Sequence, residues 1–232
     1  MQQVVHYPQI EIAGEGAVII YLDKVANNTT IKKISQLKHS IARVLADSVV
    51  ELVPSYASLL VIFDPIKTDY YAVKKVLSAL LEEDTSEIES THKTIELPVY
   101  YSLESGPDLQ SLANRSGLSV EDVIEIHQKT IYHVYAIGFA PGFAFLGEVD
   151  ERIACPRLAS PRAKVAKGSV GIADRQTAIY PNVSPGGWNL IGLCPQTLFD
   201  PDVAPYLTYQ VGDSVKFDAI TRHEFLALGG QL

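Results

Sequence analysis

A basic segment in the second half of the chain carries residue types suited to binding an anion. The run RIACPRLASPRAKVAK, residues 152–167, contains arginines and lysines but no acidic residue. Arg157 and Arg162 each follow a proline, which stiffens the backbone and reduces the entropy lost when a guanidinium is held in place. Guanidinium groups bind carboxylates and phosphates through paired hydrogen bonds. We predict that Arg157, Arg162 and Lys164 bind an anionic substrate; the alternative is a solvated loop that offsets nearby acidic residues.

A second cluster of polar and aromatic residues follows in QTAIYPNVSPGGWNLIG, residues 176–192. Small-ligand pockets combine a few polar groups with aromatic and apolar walls. The neutral hydrogen-bonding groups predicted to contact substrate are Gln176, Thr177 and Tyr180. The residues predicted to line the pocket or contact a partner protein are Pro185, Gly186, Gly187 and Trp188. For Trp188, the only tryptophan, the alternative is a place in the hydrophobic core.

The stretch FAPGFAFLG, residues 139–147, places phenylalanines around a Pro-Gly pair. Proline fixes its own φ and lacks an amide hydrogen, whereas glycine reaches conformations closed to other residues, so the pair predicts a sharp turn. Phenylalanines on a turn either pack inward or contact a ligand or partner. We assign Phe139, Pro141, Gly142 and Phe143 to the same pocket or partner interface, with a core position as the alternative.

Several standard motifs are missing from the sequence. It contains no GxxxxGK[ST] phosphate loop, GxGxxG fingerprint, HExxH or CxxC zinc motif, or GxSxG elbow. We therefore expect no metal or biotin site in this chain. His127 is expected to be a packed or capping histidine rather than a general base, and Cys155 an unreactive thiol, so no catalytic residue is assigned.

The composition excludes several classes of protein. The 232 residues are 47% hydrophobic and carry a formal net charge of -8, which fits a folded protein and disfavours binding to nucleic acid or anionic membranes. Two cysteines in a chain of this size indicate no disulfide framework. No segment approaches the length of a membrane span, and no signal peptide is evident at the N-terminus, so we expect a cytoplasmic protein.

The first part of the chain is predicted to be a ferredoxin-like α/β sandwich. Strand-like and helical runs alternate in the order β-α-β-β-α-β, from AVIIYLD at residues 17–23 to KTIELPVYY at residues 93–101. Thr29 or Thr30 could cap the first helix. The polar, acidic run EEDTSEIESTH predicts a linker, and we place the first domain at residues 1–90.

The second domain, residues 91–232, is predicted to be a closed or nearly closed barrel. Beyond residue 130, short β-rich runs are separated by proline and glycine. Before them, residues 107–129 predict a helical hairpin that resembles a DNA-binding helix-turn-helix. Its second helix begins with Glu121 and Asp122, which would repel phosphates, so we expect a hairpin packed on the barrel.

The motifs GFAPGFAFLG, CPRLASPR, GSVGIA, QTAIYP, SPGGWNLIG and LFDP, spread over residues 135–201, resemble the family of 5-oxoprolinase B subunits, also called KipI or allophanate hydrolase subunit 1. GEGAVIIYL and VPSYASLLVIFDP extend the resemblance to the first domain. It implies an α+β chain with a cyclophilin-like β-barrel in the second domain. Ser160 replaces a threonine usual in the family, and Asp174 and Arg175 replace a glycine pair, which alters the charge beside the predicted pocket.

The resemblance also implies two functions of different classes. In the first, the chain works with a KipA-like companion protein, the C subunit, and often with a third protein, in the ATP-dependent opening of 5-oxoproline to L-glutamate; related paired domains belong to urea carboxylase. ATP is expected to bind with or on the companion, and the chain alone is expected to be inactive. In the second, the chain is a KipI-type inhibitor of a sporulation histidine kinase, docked through its aromatic turn.

Overall fold

Two compact units, residues 1–91 and 92–232, make up the computed structural model. The structure describes residues 6–83 and 92–232, so most of the predicted acidic linker lies outside the described residues. Strands and helices are mixed in both units, which confirms the predicted α+β class.

The first unit is a four-stranded antiparallel sheet covered by two helices. Its strands are β1 (Gln9–Ile12), β2 (Ala17–Tyr21), β3 (Val49–Ser55) and β4 (Ser58–Phe63), and its helices are α1 (Asn28–Leu45) and α2 (Tyr70–Glu82), with a 3₁₀ turn at Ala46–Ser48. The strand order is β1-β2-β4-β3. Alternate residues of β2 and β4 are buried, and they share one apolar cluster with residues of both helices, so both helices cover the same face.

Two details of this unit differ from the sequence prediction. The side chain of Asn27, not Thr29 or Thr30, caps α1, while Thr30 closes the capping box from the third helical position. The strand predicted at residues 93–101 forms no part of this sheet. The remaining strand of this sheet is β1, which is only four residues long and was not predicted from the sequence.

The second unit contains one sheet of seven strands, a separate pair of strands and three helices. Its elements are β5 (Thr94–Val99), α3 (Leu109–Ser116), α4 (Val120–Lys129), β6 (Ile131–Ile137), β7 (Ala144–Gly147), β8 (Arg162–Val165), β9 (Ser169–Ala173), β10 (Gln176–Ile179), β11 (Ser184–Gly186), β12 (Asn189–Leu193), β13 (Ser214–Ala219) and α5 (Arg222–Ala227). The sheet runs β5-β13-β6-β7-β10-β9-β12, with only the β5–β13 pair parallel.

Continuous strand pairing does not close the expected barrel. The two ends of the sheet, β5 and β12, are linked by a single bridge between Tyr100 and Leu193. Further along β12, the Leu190 amide donates to the carboxylate of Asp108, and the Leu190 carbonyl accepts from the Asp108 amide. The loop that leads into α3 therefore satisfies the edge of β12 where a strand would continue the ladder.

The sheet of the second unit is buried on both faces. One face packs with α3 and α4 around Val134, Val170 and Phe217; we call this group the inner core. The other face carries Ala173, Leu190 and a set of aromatic side chains. This double cover explains why every residue of β9 and β12 is buried and why neither strand alternates in hydrophobicity.

Candidate functional site

The two phenylalanines of the Pro-Gly turn between β6 and β7 differ sharply in exposure. Phe143 is 2% exposed, whereas Phe139 is 66% exposed. Both Phe139, with a φ of 73°, and Gly142, with a φ of 82°, adopt left-handed backbone conformations. The buried Tyr209 hydroxyl donates a 2.6 Å hydrogen bond to the carbonyl of Gly142, and this bond fixes the backbone of the turn. Pro141 is exposed at its tip.

Phe143 lies at the centre of an aromatic group on the outer face of the sheet. Its ring meets those of Phe145, Tyr180 and Trp188 edge to face, at centroid distances of 4.9, 5.4 and 5.7 Å. We call these four residues the outer aromatic cluster. Tyr180 and Trp188 are 1% and 4% exposed. The rings therefore fill the space between them, and the cluster is a packed layer rather than an open pocket.

The pair of short strands β8 and β11 covers this layer; we call it the flap. Val165 of β8 is buried against the outer aromatic cluster, and Ser184 pairs with it across the flap.

A side chain at Gly186 would overlap the Tyr180 hydroxyl, so only glycine fits. Gly187 lies close to Pro161, and its carbonyl accepts a 2.7 Å hydrogen bond from the Leu158 amide.

The glycine pair therefore permits close packing of the flap on Tyr180 and of the basic segment on the flap. Pro185, between Ser184 and Gly186, stays exposed.

The two predicted anion-binding arginines have different roles in the structure. Arg162 forms a 2.7 Å ion pair with Asp108, whose second oxygen accepts the Leu190 amide, also at 2.7 Å. Arg162 also donates to the Trp188 carbonyl at 3.4 Å. Its charge is thus paired, and it ties the flap to the start of α3.

Arg157 is exposed and lies over the Trp188 ring, 5.8 Å from the ring centroid. Within residues 6–83 and 92–232, no carboxylate lies within ion-pair distance of Arg157 or of the exposed Lys164. Elsewhere in the same part of the chain, Arg152 pairs with Asp150, and Arg175 pairs with both Glu148 and Glu151. Arg157 is therefore a positioned guanidinium whose charge the described residues leave uncompensated.

Tyr180 is held in its neutral form beside these cations. Burial raises the pKa of its hydroxyl, while a hydrogen bond from the Trp188 backbone and the charges of Arg157 and Arg162 act in the opposite direction. Both guanidinium groups are thus close enough to influence the phenol. Burial has the larger effect, so the hydroxyl remains a neutral hydrogen-bonding group.

Thr177 points away from the outer aromatic cluster, into the inner core. Its hydroxyl donates to the Gly171 carbonyl at 3.0 Å and lies 2.9 Å from Nε2 of His127. Nε2–H therefore donates to Thr177, and Nδ1 accepts from the Tyr101 hydroxyl at 2.7 Å. Burial lowers the pKa of His127 to about 3. The packed histidine expected from the sequence is confirmed, and Thr177 is its partner.

Gln176 begins β10 and pairs across the sheet with Gly147 and Ala173. Next to it, Arg175 forms ion pairs with Glu148 and Glu151, so its charge is compensated within the chain. Burial raises the pKa of Cys155 and of Cys194 to about 11, so both are unreactive thiols.

Asp108 is a charged residue of the site that the sequence analysis missed. Its position after a Gly-Pro pair at the start of α3 suggests only a helix cap, although it makes no side-chain capping bond.

In the described residues, no group of three or more histidine, cysteine or acidic side chains could hold a metal ion. None of the described helices is both long and apolar enough to cross a membrane.

Comparison with known proteins identifies relatives over nearly the whole chain. Residues 8–208 match the family described as carboxyltransferase domain, subdomain C and D. A protein named as the B subunit of 5-oxoprolinase from Bacillus subtilis (strain 168) is 37% identical over 94% of this chain and 95% of its own length. A protein of the same name from Escherichia coli O157:H7 is 38% identical over 89% of this chain and 93% of its own.

Solved structures support the same fold. The crystal structure of TTHA0988 is 32% identical, with a TM-score of 0.77 over 88% of this chain; this chain spans only 39% of that longer protein. The Kluyveromyces lactis urea carboxylase shares the fold at 20% identity, with a TM-score of 0.70 over 98% of this chain and 23% of that one.

Proposed function

Because this chain belongs to the family of 5-oxoprolinase B subunits, within the carboxyltransferase-domain proteins, we propose that it is the B subunit of an ATP-dependent 5-oxoprolinase. In this assembly it works in the cytoplasm with a KipA-like C subunit, which we call the companion, and with a third protein where one is present. The product is L-glutamate, formed by opening the lactam ring of 5-oxoproline. The name shared by the relatives supports a role as one part of a larger assembly.

The chemistry explains why ATP and cations are needed. A lactam is stabilised by resonance, so water alone opens it slowly. Transfer of the γ-phosphoryl group to the lactam oxygen releases ADP and makes the ring carbon electrophilic. Attack by water at this carbon and cleavage of the ring C–N bond, with a proton taken up by the leaving nitrogen, give γ-glutamyl phosphate. A second water then hydrolyses this acyl phosphate to glutamate and inorganic phosphate. The carboxylate and the transferring phosphoryl group both require positive partners.

The observation that carries the proposal is the uncompensated Arg157 over Trp188. A guanidinium fixed on an aromatic face and free of carboxylate partners is suited to bind an incoming carboxylate or phosphoryl group. We assign substrate-anion binding to Arg157. Arg162, already paired with Asp108, and Tyr180 both hydrogen-bond to the backbone of Trp188, and so they hold the residue whose ring Arg157 covers. Since the sequence has no phosphate loop, we assign ATP binding to the companion's side of the assembly.

The test is glutamate release from 5-oxoproline and ATP by the chain co-purified with its companion. We expect Arg157→Gln to lower kcat/KM about 10- to 100-fold, the equivalent of a lost charge-assisted hydrogen bond. Arg152→Gln is the matched control. Arg152 lies in the same segment and is also exposed, but its charge is paired with Asp150. Equal activity of the two variants would contradict the role of Arg157. Turnover by this chain purified alone would contradict its role as one part of an assembly.

A further inference from the structure

Phe139 has an unusual combination of exposure and backbone conformation. Its ring is 66% exposed although the residue holds a left-handed φ of 73°. That conformation costs a residue with a β-carbon free energy, and glycine or asparagine is normally found there. The ring adds little to the core, because Phe139 does not belong to the buried cluster that contains Phe143.

The exposed ring is held in a defined place. Phe139 meets Phe143 edge to face at 5.2 Å, and Phe143 is fixed within the outer aromatic cluster. Behind the turn, a β-carbon at Gly142 would lie 2.7 Å from the β-carbon of Phe199, so the backbone is closely packed there. An exposed aromatic ring that is already ordered loses little entropy on binding, which is the property of an interface anchor.

The charges of the same face indicate what kind of surface would cover the ring. Lys164 lies on the flap that covers the outer aromatic cluster, and the described residues give it no acidic partner. Arg157, over the Trp188 ring of the same cluster, likewise has no carboxylate partner among the described residues. A complementary surface would present an apolar pocket with carboxylates at its rim.

We propose that Phe139 is the anchor through which this chain docks on its companion, inserting its ring into an apolar pocket bordered by acidic residues that pair with Lys164. This inference rests on the proposed function, since it presupposes that companion. It adds that the aromatic turn is used for assembly, whereas Arg157 is used for substrate.

The experiment measures the affinity of the purified companion for this chain and for its Phe139→Ala variant by surface plasmon resonance. We expect Phe139→Ala to weaken binding about 30-fold or more, as hot-spot aromatic residues do. Tyr71→Ala is the matched control, because Tyr71 is an aromatic residue of the first unit that is 79% exposed. Lys164→Glu should slow association and reduce its dependence on salt.

Activity separates this inference from the proposed function. At saturating companion, Phe139→Ala should recover the kcat of the unmodified assembly, because the ring acts in docking. Unchanged affinity of Phe139→Ala, or loss of kcat at full saturation, would overturn the docking role while leaving the oxoprolinase assignment in place. Loss of histidine-kinase inhibition with unchanged affinity for the companion would overturn it in favour of a different partner. If the unmodified chain bound no companion, both proposals would fall.

Discussion

The inner core and the outer aromatic cluster cover opposite faces of one sheet, and they are built differently. The inner core is mainly aliphatic, and its buried histidine has both ring nitrogens bonded, to Tyr101 and Thr177. The outer aromatic cluster is made of rings, is covered by a flap of two short strands, and borders on the uncompensated cation of Arg157. On the inner face, the buried histidine makes all its hydrogen bonds within the chain. On the outer face, the exposed guanidinium of Arg157 has no carboxylate partner among the described residues.

This contrast indicates which residues the fold needs and which it leaves for binding. Arg162 and Thr177 have their polar groups paired within the chain. Residues of this kind stabilise the packing of the sheet, the flap and the helices. Residues at the border of the outer aromatic cluster, such as Phe139 and Arg157, contribute little to those contacts. Substitutions in the two sets should therefore differ most in their effect on stability.

The largest expected effect is that of Phe143→Ala. The ring is 2% exposed and contacts four other aromatic rings, so its removal leaves a cavity at the centre of the outer aromatic cluster. We expect a loss of about 3–5 kcal/mol in the free energy of unfolding, measured by urea denaturation. Phe139→Ala, the same substitution in the same turn, is the control and should cost far less. Similar losses for both would show that the turn does not separate an inner from an outer phenylalanine.

The next effect is that of Asp108→Asn, which tests how the flap is held. The substitution removes the charge that pairs with Arg162, and Arg162 is only 30% exposed. We expect a loss of about 1.5–3 kcal/mol, because a partly buried cation loses its charged hydrogen-bond partner. Asp150→Asn breaks the exposed pair with Arg152 and should have a smaller effect. If both substitutions cost the same, the ion pair of the flap has no special structural role.

Much of the fold could be predicted from the sequence because apolar spacing carries it. The helices at 28–45, 70–82 and in the hairpin each show one apolar face, and the α+β class follows from them. The pairing of β5 could not be predicted, because its partner β13 lies more than a hundred residues away in the chain. The way in which the edge of β12 is covered could not be predicted either, because the carboxylate of Asp108, in a loop, accepts the hydrogen bond that a neighbouring strand would otherwise accept.

The candidate site was predicted in residue types more than in roles. The aromatic turn and the basic segment do converge, through Phe143, Trp188 and Arg157. The sequence could not distinguish Arg157 from Arg162, because both follow proline and only the distant Asp108 separates their roles. The face on which Thr177 lies could not be predicted either, because β10 is buried on both sides and its alternation carries no signal.

The pH dependence of the free energy of unfolding tests whether the inner core excludes charge. The pKa of His127 is about 3 in the folded protein, below its ordinary value of 6.5. Between these pH values the unfolded chain binds a proton that the folded chain does not, so stability is lost as the pH falls below about 6.5. The loss attributable to His127 is about 1.4 kcal/mol per pH unit.

The measurement is urea denaturation of the unmodified protein and of His127→Gln from pH 7 to pH 4.5. His127→Gln should be less stable at pH 7, because the bonds to Tyr101 and Thr177 are altered. Its stability should nevertheless fall less steeply with decreasing pH, since carboxylates contribute to both slopes but the histidine to only one. Parallel slopes would mean that His127 accepts a proton in the folded state and that the inner core is not sealed against charge.

The smallest effect is expected at Phe139, where glycine and alanine can be compared directly. Alanine removes the exposed ring but keeps the β-carbon that the left-handed φ of 73° disfavours. Glycine relieves this strain, although it also increases the conformational entropy of the unfolded chain. We expect Phe139→Gly to be more stable than Phe139→Ala by about 0.5–1 kcal/mol, measured by urea denaturation. A less stable glycine variant would mean that the turn bears no strain, and that position 139 needs no function outside the fold to explain its phenylalanine.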